Sequence, residues 1–333
     1  MNKDFSLIDA NIARIKEGLR VLEDVSRFQL KHRYSFSELK KIRHILVSLE
    51  HHIGVAGLIQ SRRGGDIGED ESPVESEYIR STTWSIVRAN VGRVTQAFRV
   101  IEEFIKIYKP GIAKDVEELR YKMYSLEKII LEQTPHYWMH RYFEKGSIYA
   151  ISDEPDDLIY FVERGARVVQ LRDKKNSKQI IYEKALQFCR FLHEERMLIG
   201  NTNPVIFIIN DHADIAAKLP VSGVHIGQFD GDINKTRRSI GSNKIIGRSN
   251  QTVEQLDNSI QKGSDYVSFG PIFATETKPE REPVGLETLQ SVVDHVEIPL
   301  VAIGGINKKT YEDVYRTGVN NIAVVSGARE FFK

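Results

Sequence analysis

Seven short clusters in the second half of this chain carry residues able to bind phosphate or a hard cation. They are Gln170-Leu-Arg172-Asp-Lys174, Asn210-Asp211, Gln228-Phe-Asp230, Ser249-Asn-Gln, Thr275-Glu-Thr277-Lys278, Gly304-Gly305 and Ser326-Gly327. Arg172 and Lys174, two apart, can both turn toward one anion, the first as a fork and the second as a point charge. Asp211 and Asp230 offer the donors magnesium prefers, one or two carboxylates completed by substrate phosphate. Gly304-Gly305 and Ser326-Gly327 can present backbone N–H groups to a phosphate. Each cluster alone has a bland reading. Arg172–Asp173 would be a surface ion pair, Asp230 a turn residue and Gly304-Gly305 a tight turn.

These residues matter only if the elements around them bring them together. From Ser147 onward short β-branched runs alternate with helical segments: 147–152, 167–172, 205–210, 223–226, 244–249, 265–270, 299–304 and 321–326. Strands buried under helices read this way. Eight such units over 147–333 predict an α/β fold, a compact (β/α)8 TIM barrel. Active sites of such barrels lie at the C-terminal strand ends, and every one of the clusters follows a predicted strand. Two phosphate positions with one magnesium between them imply two phosphorylated substrates.

Residues 1–132 have a different rhythm. Apolar residues recur at i, i+3, i+4 over 9–30, 35–58, 81–108 and 112–131, which predicts an all-α domain ahead of the barrel. Residues 61–77, glycine-rich and charged, form a loop in which Arg62-Arg63-Gly64-Gly65-Asp66 either grips phosphate or is plain surface. The aromatic, basic stretch within 133–146 is expected as a helical linker.

This first region repeats itself. Ala10-Asn11 … Arg14 … Arg20 … Glu23 recurs as Ala89-Asn90 … Arg93 … Arg99 … Glu102, and 90−11, 93−14, 99−20 and 102−23 all equal 79. Two equivalent helices follow, with core stripes Ile12, Ile15, Leu19, Leu22 and Val91, Val94, Phe98, Ile101. Asn11 and Arg14, like Asn90 and Arg93, flank those stripes, with Gly18 or Ala97 one turn on. They read either as ligand groups with room beside them or as a hydrogen-bond network between the helices. Arg20–Glu23 and Arg99–Glu102 read as solvent-facing i, i+3 pairs.

Composition narrows the partners. Lys+Arg 47 against Asp+Glu 46 leaves a net charge of +1, too balanced to hold nucleic acid or an anionic membrane by a whole-molecule field. The sole cysteine, Cys189, cannot form an internal disulfide and falls on a helix core stripe. No apolar run is long enough to span a bilayer, and the amphipathic, charged start has no signal-peptide core. A cytoplasmic homo-oligomer acting on small molecules is expected.

The segments QLRDK, INDHADIA, GVHIGQFD, GPIFATETK, IGGI and VVSGA, in that order across 147–333, resemble thiamine-phosphate synthases. The resemblance implies a transferase joining hydroxymethylpyrimidine diphosphate to a thiazole phosphate. By position, Gln170, Arg172, Lys174, Asn210, Ser249 and Lys278 would hold the diphosphate or pyrimidine, and Asp211 and Asp230 the magnesium. Thr275, Thr277, Gly305 and the backbone at Val325-Ser326 would hold the thiazole phosphate. The new bond requires no general base, in keeping with a sequence that shows no His-centred dyad. One departure stands out: where the family commonly has histidine after the strand-five serine, this chain has Gln251, which cannot become cationic. Altered binding strength, not lost activity, is expected.

DANIARIKEGLRVLEDVSRF, RRGGDIGED and RANVGRVTQAFRVIEEF resemble the helical domain fused ahead of such synthases, described as a hydroxymethylpyrimidine phosphate kinase. That implies ATP as co-substrate, with Asn11, Arg14, Arg62, Arg63, Asn90 and Arg93 as candidates for phosphate or ATP. Two alternatives remain open: a synthase whose helical part only binds ligand or dimerises, and a non-catalytic thiamine-pathway sensor.

Overall fold

A computed structural model describes residues 3–54, 80–277, 279 and 281–333. They divide into two units, Met1–Gln133 and Thr134–Lys333. The expected loop with Arg62 and Arg63, and Lys278 at the barrel rim, lie outside the described residues.

In the first unit the two copies of the repeat are helices α1 (Lys3–Asp24) and α3 (Thr83–Ile105). The expected stripes form its core: Ile12, Ile15, Leu19 and Leu22 are fully buried, as are Val94 and Phe98. Gly18 lets the two helices close on each other. A Cβ there would meet Val94 Cγ2 at 2.5 Å. The space at Gly18 itself is thus taken by the neighbouring helix, which corrects the reading of Gly18 as room for a ligand. Past α1 the chain runs through a π-helical turn, Val25–Gln29.

The repeat extends further than the sequence revealed. Helices α2 (Arg33–Ile53) and α4 (Pro110–Leu131) bury Leu39, Ile42, Leu46, Leu49, Ile53 and Val116, Leu119, Met123, Leu126, Ile130. Paired in order, these differ by a constant 77, and so do Arg43 and Arg120. Arg43 Nε donates to Glu23 Oε1 at 2.7 Å and Arg120 Nε to Glu102 Oε2 at 3.0 Å. Glu23 and Glu102 are each 2% exposed, so the pairs expected on the solvent face are buried carboxylates clamped by an arginine from the next helix. Arg99 still reaches Glu102, at 2.6 Å, whereas Arg20 stands 3.8 Å from Glu23.

The second unit is the expected barrel. Eight parallel strands close in chain order: β1 (Ile148–Ser152), β2 (Val168–Leu171), β3 (Ile206–Asn210), β4 (Gly223–Ile226), β5 (Ile245–Asn250), β6 (Tyr266–Phe269), β7 (Leu300–Ile303) and β8 (Asn321–Val324). Closure pairs β1 with β8, Tyr149 opposite Ala323. Val169, Phe207, Ile209, Val224 and Val267 face outward into the layer of helices. Tyr149, Ile151, Val168, Ile206, Ile208, Ile245, Tyr266 and Val301 fill the interior.

Of the stretch expected as a linker, 133–146, residues 134–146 are instead part of this unit. Helix α5 (Pro135–Glu144) starts with proline at its first turn and a Thr134 side chain that accepts from Tyr137 N. Its Trp138, Met139 and Phe143 join the interior cluster beside the first residues of the strands. A buried Asp265, held below the usual carboxylate range by His136 and Arg237 against the cost of burial, ties this helix to the start of β6.

Candidate active site

At the other end of the barrel, where the strands finish, lies a cleft of about 530 Å³. All twelve barrel candidates among the described residues line it. On one side stand Gln170, Arg172 and Lys174 after β2, Asn210 and Asp211 after β3, Asp230 after β4 and Ser249 on β5. On the other stand Thr275 and Thr277 after β6, Gly305 after β7, and Val325 and Ser326 after β8.

Asp173 explains how the basic pair is presented. Its carboxylate is buried and held far below the usual range: burial opposes ionisation, but Lys184 at 2.7 Å, Asn176 and two backbone N–H groups outweigh it. Asp173 therefore organises its own turn, and its ion-pair partner is Lys184, not Arg172 as one bland reading held. Arg172 and Lys174, on either side, are left to the cleft.

Asp211 is the focus of charge. Its backbone is left-handed, φ 60°, a strained setting for a non-glycine residue and one that clusters at functional sites. Asn210 Nδ2 donates to its Oδ2 at 2.6 Å, and Lys174 pairs with the same oxygen. Burial raises the Asp211 pKa, Lys174 pulls it back, and the nearby Asp230 raises it again. Two carboxylates close enough to oppose each other's ionisation form a site that a hard divalent cation would relieve. Among the described residues no group of three or more His, Cys, Asp or Glu could hold a metal.

Asp230 also fulfils its bland reading. Gly227 N donates to its Oδ2 at 3.1 Å, closing the turn after β4. Arg248 holds the same loop through the carbonyls of Gln228 and Gly231. Opposite, Gly305 has φ +69°, and a Cβ would lie 2.7 Å from the carbonyl oxygen of Ala274. Only glycine suits both demands, and the close approach packs the loop after β7 against the loop after β6.

The floor of the cleft went unrecognised in the sequence. Tyr149, His225 and Ser268 line it, and Tyr266 lies directly beneath. His225 Nε2 lies 2.8 Å from Ser249 Oγ, which corrects the expectation that no His-centred pair exists. Ser268 Oγ is buried without a hydrogen-bond partner among the described residues, while its residue lines the cleft. The period-two pattern could have placed Tyr149, Tyr266 and Ser268 on inward faces, but not in contact. Gln251 does not line the cleft. Its Nε2 donates to the Glu282 carbonyl at 3.0 Å.

In the helical unit the two candidate asparagines are bonded to their own helices. Asn11 Nδ2 donates to Leu7 O at 2.9 Å and Asn90 Nδ2 to Ile86 O at 2.8 Å, the same back-bond in both repeats. Arg14 reaches only Asn11 Oδ1, at 3.4 Å, and Arg93 is exposed.

Residues 148–328 match the family model described as thiamine monophosphate synthase, and residues 6–129 match the ThiD2 family. The thiamine-phosphate synthase of Prochlorococcus marinus subsp. pastoris is 33% identical over 325 residues, covering 96% of this chain and 89% of that protein. That of a Synechococcus strain is 35% identical over 332 residues, covering 96% and 90%. Among solved structures, a thiamine phosphate pyrophosphorylase from Pyrococcus furiosus aligns with 31% identity and a TM-score of 0.49, over 56% of this chain and 91% of its own.

Proposed function

The chain belongs to the thiamine monophosphate synthase family, and from that premise we propose that its barrel joins hydroxymethylpyrimidine diphosphate to a thiazole phosphate, giving thiamine phosphate and diphosphate. The observation that carries this reading is the two-sided cleft. A cationic and carboxylate wall faces a wall of threonines, glycine and backbone, as two phosphorylated substrates require.

Arg172 and Lys174 take up charge on the diphosphate as it leaves, and Ser249 donates a hydrogen bond to it. Magnesium held by Asp211 and Asp230 would neutralise further charge on the same group. The bond between the pyrimidine methylene and the diphosphate oxygen breaks, and its electron pair departs with the diphosphate. The electron-rich aminopyrimidine tolerates the cation left behind. Thr275, Thr277, Gly305 and the backbone at Val325-Ser326 hold the thiazole phosphate so that the ring nitrogen's lone pair forms the new C–N bond. Lys278 belongs with the diphosphate contacts on the strength of the family resemblance.

For residues 6–129 the match to the ThiD2 family supports transfer of a phosphoryl group from ATP to hydroxymethylpyrimidine phosphate, which would supply the barrel's substrate. A second reading, a helical part that only binds ligand or dimerises, is favoured by one observation: Asn11, Asn90 and Gly18 all serve the helices themselves. The full chain, given hydroxymethylpyrimidine phosphate, ATP, magnesium and thiazole phosphate, separates these readings. Thiamine phosphate as product supports both activities. Product only from the pyrimidine diphosphate removes the kinase, and no product from either removes the synthase.

A further inference from the structure

Five side chains from five strands cross the cleft floor as one line of hydrogen bonds. Gln170 Nε2 donates to Tyr149 Oη at 2.7 Å, and the Tyr149 and Tyr266 oxygens lie 3.0 Å apart. Tyr266 Oη meets His225 Nδ1 at 2.8 Å, and His225 Nε2 meets Ser249 Oγ at 2.8 Å. Space for this line is built into the sheet. A Cβ on Gly247 of β5 would lie 2.1 Å from the Tyr266 ring, so the ring fills room that only glycine leaves.

Taken from Gln170 Nε2 as its first donor, the line can run in one direction through every link. Burial raises both phenol pKa values, so each tyrosine keeps its proton. The Gln170 amide N–H occupies Tyr149 Oη as acceptor, and the Tyr149 proton then points to Tyr266. In that direction Tyr266 would donate to Nδ1 of His225, which calls for a neutral imidazole protonated on Nε2. Nε2–H donates to Ser249 Oγ. Hydrogen bonds aligned head to tail in a dry interior polarise one another and strengthen the last donor.

We propose that Tyr149, Tyr266 and His225 are positioning residues that make Ser249 an acceptor toward the barrel floor and leave its proton for an anionic oxygen in the cleft. This rests on the synthase reading in one respect, that the oxygen belongs to the departing diphosphate. Ser249 would then be aligned before substrate arrives, and the alignment would be lost if any link were cut.

Two measurements on the full-length protein test it. Histidine ¹⁵N NMR should show His225 protonated on Nε2 with Nδ1 accepting, and Tyr266→Phe should admit the other tautomer. With pyrimidine diphosphate supplied, Tyr266→Phe should lower kcat about tenfold and leave KM for thiazole phosphate unchanged, with Tyr149→Phe having a smaller effect in the same direction. A purely structural role would lower thermal stability without this split. Wild-type His225 protonated on Nδ1, or wild-type kcat in both variants, overturns the proposal. If Tyr266→Phe does not fold, Tyr149→Phe and the wild-type spectrum decide. If the wild type makes no thiamine phosphate, the synthase reading fails, and the tautomer alone still decides the relay.

Discussion

The barrel and the helical unit both carry polar residues beside apolar stripes, yet they use them differently. In the barrel, closure of eight strands drives Arg172, Asp211, Asp230, Ser249 and Thr275 to one rim from positions spread over a hundred residues of sequence, and leaves their polar ends facing a cleft. In the helical unit, Asn11 and Asn90 spend their amides on carbonyls one turn back, and Glu23 and Glu102 are consumed by Arg43 and Arg120. A polar residue at a promising spacing becomes a ligand group only when the fold also leaves it facing a cavity. Convergence from several elements is therefore stronger evidence of a site than repetition along one.

The sharpest way to break this contrast is to remove one charge from each region. Asp211→Asn should lower synthase kcat by about 10²–10³-fold, the scale seen when a group stabilising developing charge is deleted. Unfolding of the helical unit should not move. The raised pKa of Asp211 adds a pH signature. Because the folded site binds a proton more tightly than the unfolded chain, this group stabilises the metal-free fold at low pH and loses that contribution as pH rises through its folded value. A cation must displace the proton, so magnesium affinity should rise with pH across the same range. Titration calorimetry at several pH values measures this, and a flat response would remove Asp211 as a ligand.

On the helical side, Glu102→Ala takes from the buried Arg120 its nearest carboxylate, leaving only Glu117 at 3.9 Å, and should cost about 3–5 kcal/mol in denaturant unfolding. Synthase turnover of supplied pyrimidine diphosphate should stay at the wild-type rate. Loss of kinase activity with stability intact would make Glu102 a ligand group and erase the contrast. Gly18→Leu should cost less, about 1–3 kcal/mol, by overpacking the contact with Val94. A change in nucleotide binding without loss of stability would restore the reading of Gly18 as ligand room.

How much could be read beforehand follows from the same distinction. The eight strands were legible because buried parallel strands are continuous β-branched runs, and the rim because barrel chemistry sits at strand ends. Tyr149, Tyr266 and His225 were not. Each looks like an ordinary strand residue, and closure alone brings Tyr149 to Tyr266 across 117 positions of sequence. The α2–α4 repeat stayed hidden because most of its core positions keep only their apolar character, and the identical polar pairs are few: Arg43 and Arg120, Ser48 and Ser125, Glu50 and Glu127. Helix α5 reads as a linker in the sequence because an amphipathic helix shows that it packs, but not against what.

Gln251 sets the smallest expected effect and marks where the site ends. Its side chain holds the Glu282 carbonyl and its backbone N–H bonds Gln255 Oε1 at 2.8 Å, both outside the cleft lining. A neutral hydrogen bond of this kind is worth about 0.5–1.5 kcal/mol. Gln251→His should therefore change KM for the pyrimidine diphosphate by less than about tenfold and leave kcat nearly constant. The imidazole could add a cation near the diphosphate only by giving up the carbonyl it would inherit. A gain in kcat would mean that the side chain at position 251 reaches the diphosphate during turnover. The catalytic wall would then extend one residue further past β5 than the cleft now shows.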